Sequence, residues 1–225
     1  ASDSYEDSPG SHSRFLAGHF VTASPSDDPE AFAADIERIA AENEIEVVLP
    51  MFEEVFYLAA QHQRISAVTR LYAPPVATLA QVHDKGSFQE LCEKLGIPTP
   101  QTVIAENEAE LREAIGRFPR YFARAAFSRG GVALLTNTGP LAGHLAIEDI
   151  HPTEASPWLV QEFVDGPMHC TYSGLHDGRV ASQMSYRAPR QWEHSTGIQF
   201  VSVDAAEINK IVKKLGKEQS WDGQM

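Results

Sequence analysis

The residues PRYFARAAFSRGG, from Pro119 to Gly131, set a cation inside an apolar run and follow it with a polar loop that ends in two glycines. Tyr121 to Ala125 has the composition of a buried strand, with Arg124 inside it, and Ser128, Arg129, Gly130 and Gly131 form the loop. Withdrawing an arginine from water costs several kcal/mol unless an anion meets it. Paired glycines let the main chain approach a ligand closely and turn its N–H groups toward negative oxygens. The chemistry this combination suits is polyphosphate binding. Taken alone, the same residues equally fit a hairpin turn with a surface arginine. Further on, Trp158 to Gly166, WLVQEFVDG, is an apolar run that closes in a polar turn and offers a second wall for a nucleotide.

Lys85 adds a second cation. It follows Asp84, which reads as a helix N-cap, and so occupies a first turn where the helix dipole disfavours positive charge. A phosphate at the same helix end would relieve that conflict, and a solvated lysine accounts for it as well. Other chemistries find less support. No Gly-x-Gly-x-x-Gly follows a strand, and there is no Walker loop and no Gly-x-Ser-x-Gly elbow. The nine histidines show no His-Glu-x-x-His spacing. His194 and Ser195 are adjacent, but adjacency is not triad geometry. The Phe52-Glu53-Glu54 turn follows a strand's carboxyl end, where open α/β sheets bind ligands, though a capped, solvated helix start explains it too.

A formal charge of −13 argues against a nucleic-acid partner, which needs clustered Lys and Arg, but leaves room for a local cation set such as Lys85, Arg124 and Arg129. No apolar run approaches the ~20 residues that span a bilayer, and the acidic, serine-rich start is unlike a signal peptide. A cytoplasmic protein is expected, with Cys92 and Cys170 as reduced core residues.

The elements that must hold these groups can be read in order. Ala1 to Phe15 is polar and turn-rich, like a loop leaving a strand, so a first strand and helix are expected upstream of Ala1. Asp27-Asp28-Pro29 opens a helix to about Glu42, with Phe32, Ile36 and Ile39 on one face. A strand over Ile45 to Pro50, a helix over Glu53 to Gln63 and a brief strand from Leu71 to Val76 follow. This alternation predicts a parallel sheet with right-handed crossovers. Next come a helix from Asp84 to Gly96, an extended segment from Gln101 to Ala105, and a helix from Asn107 to Arg117 that buries Leu111, Ala114 and Ile115. From Tyr121 strands dominate: Val132 to Thr136, a short helix around Ala146, Trp158 to Val164, and a hairpin of Met168 to Leu175 with Arg179 to Ser185 around Asp177-Gly178. A basic turn at Arg187 to Arg190, a strand at Gln199 to Val203, a helix at Ala205 to Leu215 and the approach to another strand at Ser220 to Met225 complete the reading.

The order of Asp84-Lys85, Leu95-Gly96-Ile97-Pro98-Thr99-Pro100, PRYFARAAFSRGG, VQEFVDG and His194-Ser195-Thr196-Gly197 resembles the ATP-grasp superfamily, the fold of carbamoyl-phosphate synthetase, biotin carboxylase and D-alanine ligase. The likeness is weaker over Ala1 to Ala80 and stronger from Val82 to Val203. It implies an α/β plus α+β chain: a partial, Rossmann-like pre-ATP-grasp domain over 1–82, then an incomplete ATP-grasp domain over 83–225, with 119–203 as a mostly antiparallel lobe covering the nucleotide. By this resemblance Lys85 reaches phosphate, Arg124 stands at the strand cation that bridges phosphate and adenine, and Ser128, Arg129, Gly130 and Gly131 form the flexible loop over the β- and γ-phosphates. Gln161, Glu162, Phe163 and Val164 make the hinge, where main-chain groups of Glu162 and Val164 read adenine. His169 stands where a glutamate commonly holds the ribose, and His194 completes the nucleotide set.

There are departures from the pattern. His169 replaces that glutamate, the loop lacks a further glycine, and the acidic residue and Glu-x-Asn motif that hold Mg2+ are expected beyond Met225. The resemblance implies an ATP-dependent ligase that activates a small-molecule carboxylate as an acylphosphate for attack by an amine or other nucleophile. ATP and Mg2+ would be its cofactors and a homodimer a possible assembly. The piece spanned here is expected to be inactive by itself, for want of the metal clamp on the transferred phosphoryl group. The alternative is a non-catalytic nucleotide-binding or sensor protein with the same fold.

Overall fold

The computed structural model describes residues 1–128, 133–192 and 196–225. Internal packing divides the chain into two units, Ala1–Leu79 with Asp222–Gln224, and Ala80–Trp221 with Met225.

In the first unit, β1 (Ser2–Asp3) runs parallel to β2 (Phe20–Val21). Then come α1 (Pro29–Glu42), β3 (Val47–Val48), α2 (Glu54–Ala60), the single turn α3 (His62–Ile65) and β4 (Arg70–Leu71), which is parallel to β3. Parallel neighbours need crossover connections, and α2 with α3 supplies one between β3 and β4. The four short strands form two separate pairs. Asp28 caps α1 by accepting the Ala31 N–H at 2.9 Å, with Pro29 at the helix start where its missing donor costs nothing. Phe32 and Ile36 of α1 pack on Leu58, Ile65, Leu71 and Ala73.

The last strand of this unit departs from the sequence reading. The strand expected through Val76 ends at Leu71, and α4 (Val76–His83) begins after Pro74-Pro75. The Pro75 carbonyl accepts the N–H groups of Thr78 and Leu79, so this proline starts a helix as well as ending an extended run.

The second unit holds α5 (Lys85–Lys94), β5 (Thr102–Ala105), α6 (Glu108–Arg117), β6 (Tyr121–Ala125), β7 (Leu134–Thr136), β8 (Trp158–Glu162), β9 (His169–His176), β10 (Arg179–Trp192), β11 (Thr196–Ser202) and α7 (Ala206–Glu218). The chain closes on β12 (Gly223–Gln224), whose residues are counted with the first unit. The strands of 119–203 do not make one sheet. One antiparallel sheet has the order β5-β8-β6-β7, taking β5 from before residue 119, and β9, β10 and β11 pair antiparallel in another. The basic turn expected at Arg187 to Arg190 is instead part of β10. Register shifts between Arg187 and Arg190 give Pro189 a place where the ladder needs no donor. Asp177 and Gly178, with φ of 48° and 72°, make the hairpin turn between β9 and β10.

The core beneath the first sheet is built from period two meeting period 3.6. Ala123 of β6, Ala105 of β5, and Trp158 and Val160 of β8 pack on Leu111 and Ala114 of α6. α5 ends on Gly96 at φ 60°, with Gly96 and Ile97 donating to the Glu93 and Cys92 carbonyls, and buries Leu91, Cys92 and Ile97 against Leu215 of α7.

Candidate phosphate site on the open face of the first sheet

Strand alternation decides which residues can meet a ligand. With Tyr121, Ala123 and Ala125 turned to the α6 core, Phe122 and Arg124 take the opposite face of β6. Leu159 of β8 lies opposite both Arg124 and Ile104, and Gln161 opposite both Phe122 and Thr102. Arg124, Gln161 and Thr102 therefore share one face across three strands. The Arg124 Nη2 group donates to Gln161 Oε1 at 3.5 Å, Gln161 Nε2 to Thr102 Oγ1 at 3.0 Å, and the Thr102 hydroxyl to the Pro100 carbonyl at 2.9 Å. The Phe122 ring lies 5.8 Å from the Arg124 guanidinium carbon.

Arg124 is largely withdrawn from water, and its Nε is buried with no hydrogen-bond partner. Among the described residues no carboxylate pairs with it, and burial alone pulls its pKa below the ordinary arginine value. A guanidinium so placed is poised for an incoming anion.

The second cation stands beside it. Asp84 caps α5 by accepting the Ser87 N–H at 2.7 Å, which sets Lys85 in the first turn. Gly86 is buried where a Cβ would stand 3.3 Å from Asp84 Oδ1 and 3.5 Å from Ile104 Cδ1, so the helix start lies close against β5. Lys85 Nζ donates to the carbonyls of Ala126 at 3.0 Å and Ser128 at 2.5 Å. Ser128 Oγ in turn donates to the Ala125 carbonyl at 2.8 Å, holding the exit from β6. Burial, and then the Arg124 charge, lower the Lys85 pKa, with Asp84 opposing them as the smallest influence. Two cations with neutral partners thus sit within electrostatic reach of each other. A polyphosphate has the charge and the acceptors to meet both.

At the hinge, side chains serve the fold and leave the main chain for recognition. Glu162 Oε1 accepts the Gln101 N–H at 2.9 Å, and the Glu162 N–H goes to the Gln101 carbonyl at 3.0 Å. The Phe163 N–H bonds the Arg120 carbonyl at 3.0 Å, and the Phe163 ring lies 4.6 Å beneath the Arg120 guanidinium, which also pairs with Asp165. Val164 is exposed, and among the described residues no main-chain bond takes its N–H. The hinge sets Val164 just beyond the end of β8.

The structure therefore gathers Lys85, Arg124, Ser128 and Gln161, with Glu162 at the end of β8 and Phe163 and Val164 just beyond it. His169 opens β9 opposite Arg187 in the other sheet, and no described hydrogen bond joins it to Arg124 or Gln161. Arg129, Gly130, Gly131 and His194 lie outside the described residues. Thr102 and Phe122 were not singled out from the sequence. Their signal was the parity of β5 and β6, which becomes usable only once Gln161 is known to lie opposite both. No group of three or more His, Cys, Asp or Glu side chains among the described residues includes any member of this set. A cavity of about 660 Å³ lies elsewhere, in the first unit, lined by β1, β3 and apolar residues such as Phe32, Ile36 and Leu58. No Lys or Arg is among the residues that line it.

No protein-family model matches the chain. Half of the chain is similar to the carbamoyl phosphate synthase large chain of Thermus thermophilus, 31% identical over 120 residues that make up 11% of that protein. The large chain of Deinococcus radiodurans is 30% identical over 108 residues, 46% of this chain and 10% of that one. Among solved structures, N5-carboxyaminoimidazole ribonucleotide synthetase in its ADP complex matches at a TM-score of 0.69 and 15% identity, over 99% of this chain and 57% of that one. The chain has the ATP-grasp fold. It spans 11% of the length of the first of these curated relatives.

Proposed function

We propose that this chain forms the nucleotide-binding part of an ATP-dependent ligase that activates a carboxylate as an acylphosphate for attack by an amine or other nucleophile. The observation that carries this reading is the pair Lys85 and Arg124, two partly buried cations without a described carboxylate partner on one face of a sheet that ends in a hinge. Lys85 and Arg124 would hold phosphate oxygens, Ser128 would begin the loop above them, and the main chain at Glu162 to Val164 would meet adenine. The orphaned Arg124 Nε fits a phosphate acceptor. ATP supplies the phosphoryl group that makes the carboxylate electrophilic. Mg2+ belongs to the same reading, as does a homodimer: a solved neighbour of this fold, the biotin carboxylase domain dimer of Hydrogenobacter thermophilus, was determined with MgADP and bicarbonate.

Calorimetric titration of the 225-residue chain with ATP and with adenosine, with and without Mg2+, tests it. ATP binding should be weak, with little Mg2+ effect, because among the described residues no cluster of metal-ligating side chains accompanies the cations. Arg124→Ala should weaken ATP by about 1.5–3 kcal/mol, the range for hydrogen bonds to charged groups, and weaken adenosine less. Equal ATP affinity in the variant and the parent chain would remove the reading.

A further inference from the structure

We propose that the cavity of the first unit is the seat of one further parallel β-strand, supplied by the same polypeptide ahead of Ala1, and that the helix joining this strand to β1 covers the sheet face opposite α1. The inference concerns the first unit alone and is independent of the ATP-binding reading.

Main-chain hydrogen bonds define the seat. The Arg70 and Tyr72 N–H groups donate to the Glu46 and Val48 carbonyls at 3.1 and 3.0 Å, so these residues face β4. Successive residues of a parallel strand bond to alternate sides, which turns the main-chain groups of Val47 and Leu49 to the other edge. Among the described residues no main-chain partner takes them. β1 has the same arrangement. The Ala1 and Asp3 carbonyls accept the Phe20 and Thr22 N–H groups at 3.0 and 2.9 Å, and the main-chain groups of Ser2 point away from β2 without a described partner. Ser2, Val47 and Leu49 all line the one cavity of about 660 Å³, over an apolar floor of Phe32, Ile36 and Ile39 from α1. Two open strand edges thus border a single apolar space, where unpaired N–H and C=O groups are costly. One strand between them pairs with both and makes a single sheet in the order β2, β1, inserted strand, β3, β4.

Crossover handedness then fixes where the connecting helix lies. In this order the links from β2 to β3 through α1, and from β3 to β4 through α2 and α3, run across the sheet in one direction. Right-handed crossovers in one direction use one face. Accordingly Phe32 and Ile36 of α1 share a core with Leu58 of α2 and Ile65 of α3, and Val48 packs against it. A link from the inserted strand to β1 runs the other way and has to use the opposite face. That face is bare: strand alternation turns Val47 and Leu49 to it, and they are 41% and 55% exposed. Parallel sheets are covered on both faces, so these residues call for a helix. A single strand-and-helix unit joined to β1 accounts for the open edges and the bare face together, whereas a free peptide or a second copy laid in the cavity accounts for the edges alone.

The sequence encoded ahead of Ala1 gives the first check. It should hold an apolar run of about 5–6 residues and then an amphipathic helix, because a central parallel strand is buried on both faces. A wholly polar segment overturns the inference. The second check is residue-resolved hydrogen exchange on the 225-residue chain and on the same chain extended by that segment. In the 225-residue chain the Val47 and Leu49 amides should exchange at least about 10-fold faster than Val48, and in the extended chain the three rates should converge. A gap that persists in the extended chain overturns the inference. So does protection of Val47 and Leu49 in the 225-residue chain that grows with protein concentration, which would give the seat to a second copy. Leu49→Lys should lower the urea midpoint of the extended chain and leave that of the 225-residue chain unmoved, and equal shifts in the two would remove the covering helix. If the extended chain is insoluble, the segment is added to the 225-residue chain as a separate polypeptide, where an undiminished gap between Val48 and its neighbours overturns the inference.

Discussion

Gly178 and Gly216 meet with their backbones almost in contact: a Cβ on Gly178 would stand 2.9 Å from the Gly216 carbonyl oxygen, and a Cβ on Gly216 would stand 2.2 Å from Leu175 Cδ2. The β9–β10 hairpin turn therefore seats directly on α7. Leu175 is fully buried, so it can yield only by disturbing the core around it. A helix-interior glycine would ordinarily be improved by alanine, by up to about 1 kcal/mol. Here the overlap reverses the sign, and Gly216→Ala should destabilise by about 1–3 kcal/mol, the range for overpacked cores. Urea unfolding measures it, and a more stable variant would show that α7 and the hairpin are not in contact.

Leu111 anchors the other side of the sheet that carries Arg124. It is fully buried between α6 and the inner faces of β5, β6 and β8. Leu111→Ala should cost about 2–5 kcal/mol. Because it lies on the face opposite Arg124, ATP affinity at a temperature where the variant stays folded should be unchanged. A matching loss of ATP affinity would mean that the two faces are coupled.

The Lys85 ammonium gives a pH-dependent signature. Burial and Arg124 hold its pKa below the ordinary value of 10.5, so the native state releases this proton at a lower pH than the unfolded chain does. In that window the unfolded chain binds more protons, and stability contributed by this group rises with pH. Comparing wild type with Lys85→Met by urea unfolding from about pH 7 to pH 10.5 isolates it, since the other titrations largely cancel. The difference should shift in favour of wild type as pH rises. A flat difference would place Lys85 in ordinary solvent.

Asp84 is the capping residue that fixes where Lys85 emerges. Asp84→Ala removes the 2.7 Å bond to the Ser87 N–H and should cost about 1 kcal/mol, whereas Asp84→Asn, which can still cap, should cost less. Thermal melts of the two variants separate the cap from the charge. Equal losses would assign the effect to the carboxylate's charge.

Much of this architecture is written in local sequence. Asp28-Pro29 and Asp84 mark helix starts because a short side chain there satisfies an orphan N–H, and Asp177-Gly178 marks a hairpin because both residues tolerate positive φ. The charged residue within Tyr121 to Ala125 was itself the signal for an anion site, since an arginine in an apolar strand needs a partner from outside the strand. Which strands become neighbours was not legible. Pairing of β5 with β8 joins residues on either side of α6 and β6, and it is settled by shared burial over the α6 face, a long-range packing energy that no local window contains. That pairing alone brings Thr102 to Gln161 and so aims the amide at Arg124. The strand through Pro189 was hidden for the same reason: proline and arginines read locally as a turn, but pairing with β9 and β11 extends β10 across them and absorbs the missing donor in a bulge. Sequence by itself determined the cations, the caps and the periodicities, because these depend on near neighbours. Tertiary structure decided which neutral groups those cations would face, because that depends on register between distant strands.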